Sequence, residues 1–166
     1  MTPATPRDPF TGVGVDHRLD LDARALEKRY LELSRQCHPD LHRAADTSDC
    51  IAVLQRAAEV NDAWRILKDP WARARALIER RDPQALAQSQ KLDPAFLLQA
   101  MEDAEAASTC PPAAVPALRQ RLQQEANHLL QSIRAALDAG DAKAAATAFH
   151  QSKYHRKALA DLEARS

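Results

Sequence analysis

The residues best equipped for chemistry lie together in "LSRQCHPDLHRAAD", positions 33–46. Cys37, His38, Asp40 and His42 gather a thiol, two imidazoles and a carboxylate around Pro39. Four uses are open to such a set: a thiol nucleophile with its base, a metal site, an ordinary helix-ending turn, or a stiff contact point for another protein. Helical geometry opposes the first, because residues i and i+1 point in different directions. Cys37 also continues an apolar stripe and has the character of a small core residue. Zinc wants four converging ligands, and the other thiols, Cys50 and Cys110, fall on different elements. No structural metal is expected. The turn and the contact point share one requirement. Proline lacks an N–H and keeps the residue before it out of helical geometry, so Pro39 ends a helix and fixes the loop. His38 and Asp40 then project from a pre-ordered bend. Asp40 is placed to pair with a partner's arginine through a charge-assisted, bidentate bond, with little ordering entropy lost.

Two helices must hold that bend. The first is predicted over 23–36, capped by Asp20 or Asp22, whose short carboxylate accepts orphan N–H groups of a first turn. Leu26, Tyr30, Leu33 and Cys37 share one face, while Arg24, Lys28 and Arg35 occupy a narrow arc on the other. That arc is either a solvated surface or a steering face for an acidic groove on a partner, which would make association fast and salt-sensitive. The second helix is predicted over 49–67, capped from Asp46, Thr47 or Ser48, with Leu54, Ala57, Asn61 and Trp64 turned inward. Before this pair, residues 1–9 carry three prolines and read as disordered, and 10–15 read as a short helical turn. After it, Pro70 opens a further helix, "WARARALIERR".

The polar stretch 82–92 reads as a linker between a helical module over 10–81 and a second over 93–166. In the second, Asp93 and Pro94 start a helix in which Phe96, Leu97, Leu98 and Met101 cannot all face one way. Such a helix either lies deep inside a bundle or shows some of these side chains to a partner. An apolar centre edged by Glu102 and Glu105 has the layout of a protein interface. A long helix follows with Leu118, Leu122, Ala126, Leu129, Ile133 and Leu137 in one stripe. Ala139-Gly140-Asp141 stops it and caps the last helix, which turns Ala145, Phe149, Ser152, His155 or Arg156, Leu159 and Leu162 inward. The fold class is therefore all-α, with a three-helix bundle at the C-terminal end.

Composition narrows the function classes. Lys plus Arg equals Asp plus Glu at 23 each, which argues against a large nucleic-acid footprint. Three glycines leave no Gly-rich phosphate loop, and no nucleotide cofactor is expected. Three widely spaced cysteines without a CxxC pair read as reduced thiols in a cytoplasm. No apolar run approaches the roughly 18 residues that span a bilayer.

A cationic helix, a His-Pro-Asp loop and a following antiparallel helix resemble a J domain, the module that engages DnaK-like heat-shock chaperones. "VNDAWRILKDPWARARALI" and "LDPAFLLQAMEDAE" are similar, in order and spacing, to segments of HscB-type J proteins, and the likeness runs over roughly residues 8–164. The resemblance implies a co-chaperone of iron–sulfur cluster assembly that is not an enzyme. It would stimulate the ATPase of a DnaK-like (HscA-type) chaperone and deliver an iron–sulfur cluster scaffold protein (IscU-type) to it. It puts His38, Pro39, Asp40, Arg24, Lys28 and Arg35 on the chaperone-binding side. It puts Leu97, Leu98, Met101, Glu102, Glu105 and Tyr154 on the scaffold-binding side. Two features depart from the family pattern. Leu41 stands where a basic residue usually follows His-Pro-Asp, and the paired-CxxC zinc module of some relatives is absent. A J protein serving another client, a helical enzyme using Cys37 and His38, and a purely structural adaptor are the alternatives.

Overall fold

The computed structural model describes residues 8–38 and 47–165, all of whose regular structure is helical. Residues 1–7, the loop 39–46 and Ser166 lie outside the described residues, and Pro39, Asp40 and Leu41 are among them. The chain divides into two compact units after Arg73.

The short helical turn read over 10–15 is present and begins one residue earlier, at Pro9. Asp8 caps α1 (Pro9–Val13), with Pro9 at the first helical position where its missing N–H costs nothing. Pro9 thus belongs to a helix and not to a disordered leader. Gly14 ends α1 with φ 76°, a left-handed conformation that glycine adopts without strain. Two arginines then take the carbonyls that the helix end leaves open. Arg29 Nε donates to Val13 O at 3.1 Å and Arg56 Nη2 to Gly12 O at 2.7 Å. These belong to α2 (Ala23–Gln36) and α3 (Thr47–Leu67), so α1 is pinned to both. Of the two caps foreseen for α2, Asp22 serves, accepting from Ala25 N at 2.6 Å, while Asp20 pairs with Arg18. Leu26, Leu33 and Cys37 are buried, as their spacing predicts.

For α3 the expected inward stripe needs correction. Leu54 is 57% exposed and Asn61 is exposed, whereas Val60, Ala63 and Leu67 are buried. The buried stripe is rotated by about one residue, because α3 packs on α1 as well as on α2. Phe10 and Val13, both buried, supply that extra core. The expected side still meets α2 at one place: Trp64 stacks on Tyr30 with ring centroids 4.6 Å apart, and Tyr30 Oη donates to Asn61 Oδ1 at 3.0 Å. The cap expected from Asp46, Thr47 or Ser48 lies outside the described side chains.

The unit boundary falls inside α4 (Pro70–Arg81) and not at its end. The stretch 82–92 is also not a free linker. It contains α5 (Ala85–Gln88), buries Ala85 and Leu92, and packs along the last helix. In the second unit α6 (Pro94–Thr109) opens as predicted, with Asp93 Oδ1 accepting from Ala95 N and Phe96 N at 2.8 and 3.2 Å. A 3-10 turn (Pro112–Ala114) leads into α7 (Val115–Asp138), which ends in a Schellman motif. There Asp141 N donates to Ala136 O and Gly140 N to Leu137 O. Gly140 has φ 78°, and the Arg81 guanidinium fills the place a Cβ would take. Asp141 caps α8 (Ala142–Glu163) through Ala144 N at 2.9 Å. The α7 and α8 stripes bury Leu122, Ala126, Ile133, Ala145, Phe149, Ser152, His155 and Leu162, which settles His155 over Arg156 as the inward residue. α8 packs on α5, α6 and α7.

Candidate functional site

Two surfaces, one on each unit, carry the residues singled out above. On the first, Arg24, Lys28 and Arg35 are all exposed along one side of α2 and border an open groove with Leu31. None of the three takes part in an ion pair among the described residues. Leu31 is 44% exposed in the middle of that arc, seven residues from Arg24 and three from Lys28. Sequence reasoning passed over it because apolar residues were sought on the buried side. Glu27 and Glu32 line the same groove, so the face is less purely cationic than three basic residues suggest.

His38 follows immediately on the end of α2. Its backbone N–H donates to Arg35 O at 3.1 Å and the residue is exposed, as a contact role requires. Cys37, one position earlier, is 8% exposed. Thiol and imidazole therefore do not open onto one solvent-facing site, which removes the geometry that Cys–His nucleophilic chemistry needs. Pro39 and Asp40 lie outside the described residues.

The second surface is built on α6. Leu98 is 60% and Met101 70% exposed, on a helix whose Ala100, Asp103 and Ala107 are buried. Burying such a side chain is worth about 1.5–3 kcal/mol, so this bundle forgoes that gain at two adjacent positions. Glu102 and Glu105 are exposed on the same helix, and Leu97 is half-buried. Tyr154, 44% exposed, comes from α8 and reaches this region through Phe96. The edge of one ring meets the face of the other at 5.8 Å between centroids. Phe96 makes the same edge-to-face contact with His155, also at 5.8 Å.

Beneath the apolar residues lies a polar cluster that sequence reasoning missed. Asp103 is 2% exposed and its Oδ1 accepts from Arg121 Nη2 at 2.7 Å and from Gln99 Nε2 at 3.2 Å. The bond to Asp103 holds the Arg121 guanidinium above its ordinary pKa. His155 Nδ1 stands 3.6 Å from Asp103 Oδ2, beyond hydrogen-bond range. Burial pushes the His155 imidazole below its ordinary pKa. Asp103 and Glu125 pull the other way, but Arg121 already neutralises Asp103 and repels an imidazolium. The available signal was a carboxylate between Ala100 and Ala107 on the inward stripe: a buried Asp needs a cation, and Arg121 is it. The cluster ties α6 to α7 and sets α8 beside it, so the outward face of α6 stands on a fixed support.

One unit thus presents basic residues along α2, and the other, a helical bundle, exposes leucine, methionine and tyrosine. Residues 92–163 match the family model described as the HSCB C-terminal oligomerisation domain. The co-chaperone protein HscB homolog of Aeromonas hydrophila is 34% identical over 160 residues, 93% of each chain. That of Bordetella pertussis is 33% identical over 161 residues, 95% of each. The solved structure of HscB from Vibrio cholerae superposes with a TM-score of 0.75 at 28% identity, covering 95% of this chain and 96% of that one. The crystal structure of human HscB shares the fold with a TM-score of 0.83 at 20% identity, over 98% and 84% of the two chains. The chain belongs to the HscB co-chaperone family, and its fold is a J domain followed by a helical bundle.

Proposed function

We propose that this co-chaperone joins two partners of iron–sulfur cluster assembly, one through each unit. The J-domain side, with the His38-Pro39-Asp40 tripeptide and with Arg24, Lys28 and Arg35 along α2, engages a DnaK-like, HscA-type ATPase. The bundle side, with Leu97, Leu98, Met101, Glu102, Glu105 and Tyr154, holds an IscU-type scaffold protein and brings it to the chaperone. The observation that carries the reading is the exposure of Leu98 and Met101, in a co-chaperone family member, on a helix whose inward side buries Ala100, Asp103 and Ala107. A large exposed apolar pair of this kind marks an interaction surface, and methionine suits an adaptable one.

The chain catalyses nothing itself in this scheme. It raises the chaperone's hydrolysis rate by binding more tightly to a conformation nearer the hydrolytic one, since a ligand shifts an equilibrium only by its differential affinity. Three widely spaced cysteines without a CxxC pair suit the reducing cytoplasm in which we place it. Steady-state ATPase of an HscA-type chaperone is the test. Addition of the wild-type chain is expected to stimulate turnover and His38→Gln to abolish the stimulation. No stimulation, or equal stimulation by the variant, overturns the assignment. The word oligomerisation in the description of the matching domain favours one second reading, in which the apolar face joins two copies of this chain. Light scattering of the chain alone, showing a dimer that Leu98→Ala with Met101→Ala converts to a monomer, would establish that reading.

A further inference from the structure

We propose that a lysine-edged groove on α8 seats an acidic segment of the scaffold protein, fixing which way round the scaffold lies on the bundle; this rests on the scaffold-binding reading above. The groove is lined by Gln90, Leu92, His150, Lys153, Tyr154 and Lys157. Its wall comes from the stretch after α5 that composition alone made a linker.

The position of Lys153 is built and not incidental. His150 Nε2 lies 2.8 Å from Leu86 O, and a carbonyl can only accept, so Nε2 carries the proton. The lone pair of Nδ1 is thereby turned outward, 3.2 Å from Lys153 Nζ, and accepts one of its three N–H groups. The same ammonium stands 5.4 Å from the centre of the Phe149 ring, a cation–π contact. Lys153 is thus held at a set place with donors left for a ligand. Lys157, one turn further along, is tied among the described residues to Asp161 across an exposed i,i+4 pair, which a partner carboxylate can replace at little cost.

Tyr154 belongs both to this groove and to the apolar face, so the two are continuous. The face is consequently polarised. Its α6 side carries Glu102 and Glu105, and its α8 side carries Lys153 and Lys157. The chain's zero net charge conceals this separation. A complementary partner must present carboxylates toward α8 and basic residues toward α6, because like charges set opposite each other are rejected. An acidic segment with an apolar residue directed at Leu92 and Tyr154 meets both demands.

The test measures affinity of the purified IscU-type scaffold for the full chain by calorimetry at low and high salt. Lys153→Glu with Lys157→Glu is expected to weaken binding about tenfold at low salt and to flatten its salt dependence. Lys153→Gln with Lys157→Gln, which adds no repulsion, is expected to fall between that variant and wild type. Thermal midpoints equal to wild type show that the exposed substitutions leave the bundle folded. Unchanged affinity and salt dependence in both lysine variants overturns the groove proposal. Leu98→Ala with Met101→Ala runs beside them: if it weakens binding while the lysine variants do not, the groove alone fails. If it too leaves binding intact, the scaffold-binding reading fails first.

Discussion

The two candidate faces differ in what they spend their exposed residues on. The outer side of α2 offers three guanidinium or ammonium groups around one exposed leucine, on a helix whose opposite side is regularly buried. The outer side of α6 offers leucine and methionine around which the charges form a rim. The first arrangement gains little per contact, because exposed ion pairs are worth about 0–1 kcal/mol, but it accelerates and orients encounter. The second gains from desolvating an apolar centre and holds once formed. On the function proposed above, the comparison teaches a division of labour: the α2 face suits touch and release and the α6 face suits holding, the pair of properties that an adaptor between a cycling ATPase and a cargo protein requires.

Support differs as well as surface. α6 rests on a buried carboxylate paired with Arg121, whereas no such buried pair underlies the α2 face among the described residues. The largest effect should therefore come from below the holding face. Asp103→Ala strips Arg121 and Gln99 of their acceptor and leaves a void among α6, α7 and α8. Because Arg121 is half-exposed and its freed charge can reach water, the expected loss is about 2–3 kcal/mol of unfolding free energy. Arg24→Ala on α2 should stay within about 0.5 kcal/mol of wild type. Urea denaturation of the two variants checks the contrast, and equal midpoints would erase it.

Next in size is the holding face itself. Leu98→Ala with Met101→Ala should weaken scaffold binding by about 2 kcal/mol, roughly 30-fold, with unfolding free energy unchanged, since both side chains already face water. A loss of stability instead would return them to the core. Smaller again is the effect of salt. Raising ionic strength from about 50 to 200 mM should slow association with the chaperone several-fold, because the screening length shortens. The same change should alter scaffold dissociation little. Stopped-flow rates measure both, and a scaffold dissociation rate that changes with salt as steeply as the chaperone association rate would remove the distinction between the faces.

How much of this was legible in the sequence follows the range of the interactions concerned. Asp22, Asp93 and Asp141 were readable as caps because a cap acts on N–H groups two or three residues away. The Leu26–Leu33–Cys37 and Leu118–Ile133 stripes were readable because one helix turn sets their period. The face of α3 was not, because Ile51, Val53, Leu54 and Val60 surround the helix and only the packing of α1 chooses among them. α1 itself is held by Arg29 and Arg56, partners 16 and 44 residues distant. The polar composition of 82–92 hid Ala85 and Leu92, which α8 buries. For the site, consecutive apolar residues on α6 left two outcomes open, and exposure decided for a surface. Tyr154 was placed by family likeness alone, since no local pattern joins α8 to α6. Asp103 went unnoticed because its cation lies 18 residues away.

The smallest expected effect is one of pH and concerns the support beneath α6. His155 is buried and its pKa is lowered below 6.5, so the folded bundle resists protonation where the unfolded chain accepts it. Between the folded and unfolded pKa values the unfolded state binds more protons, and stability rises with pH by linkage. Unfolding free energy should therefore be level above about pH 6.5 and decline as the medium is acidified below it. Asp103 and Glu125 soften the decline and Arg121 steepens it. Other groups titrate in the same range, so the informative quantity is the difference between wild type and His155→Gln. That difference should shrink on acidification, because only the wild type loses stability through this imidazole. A His155→Gln difference that is flat, or grows as pH falls, would mean that the buried imidazole accepts its proton freely and pairs with Asp103. The support beneath α6 would then be a salt bridge and not a neutral ring packed against Phe96.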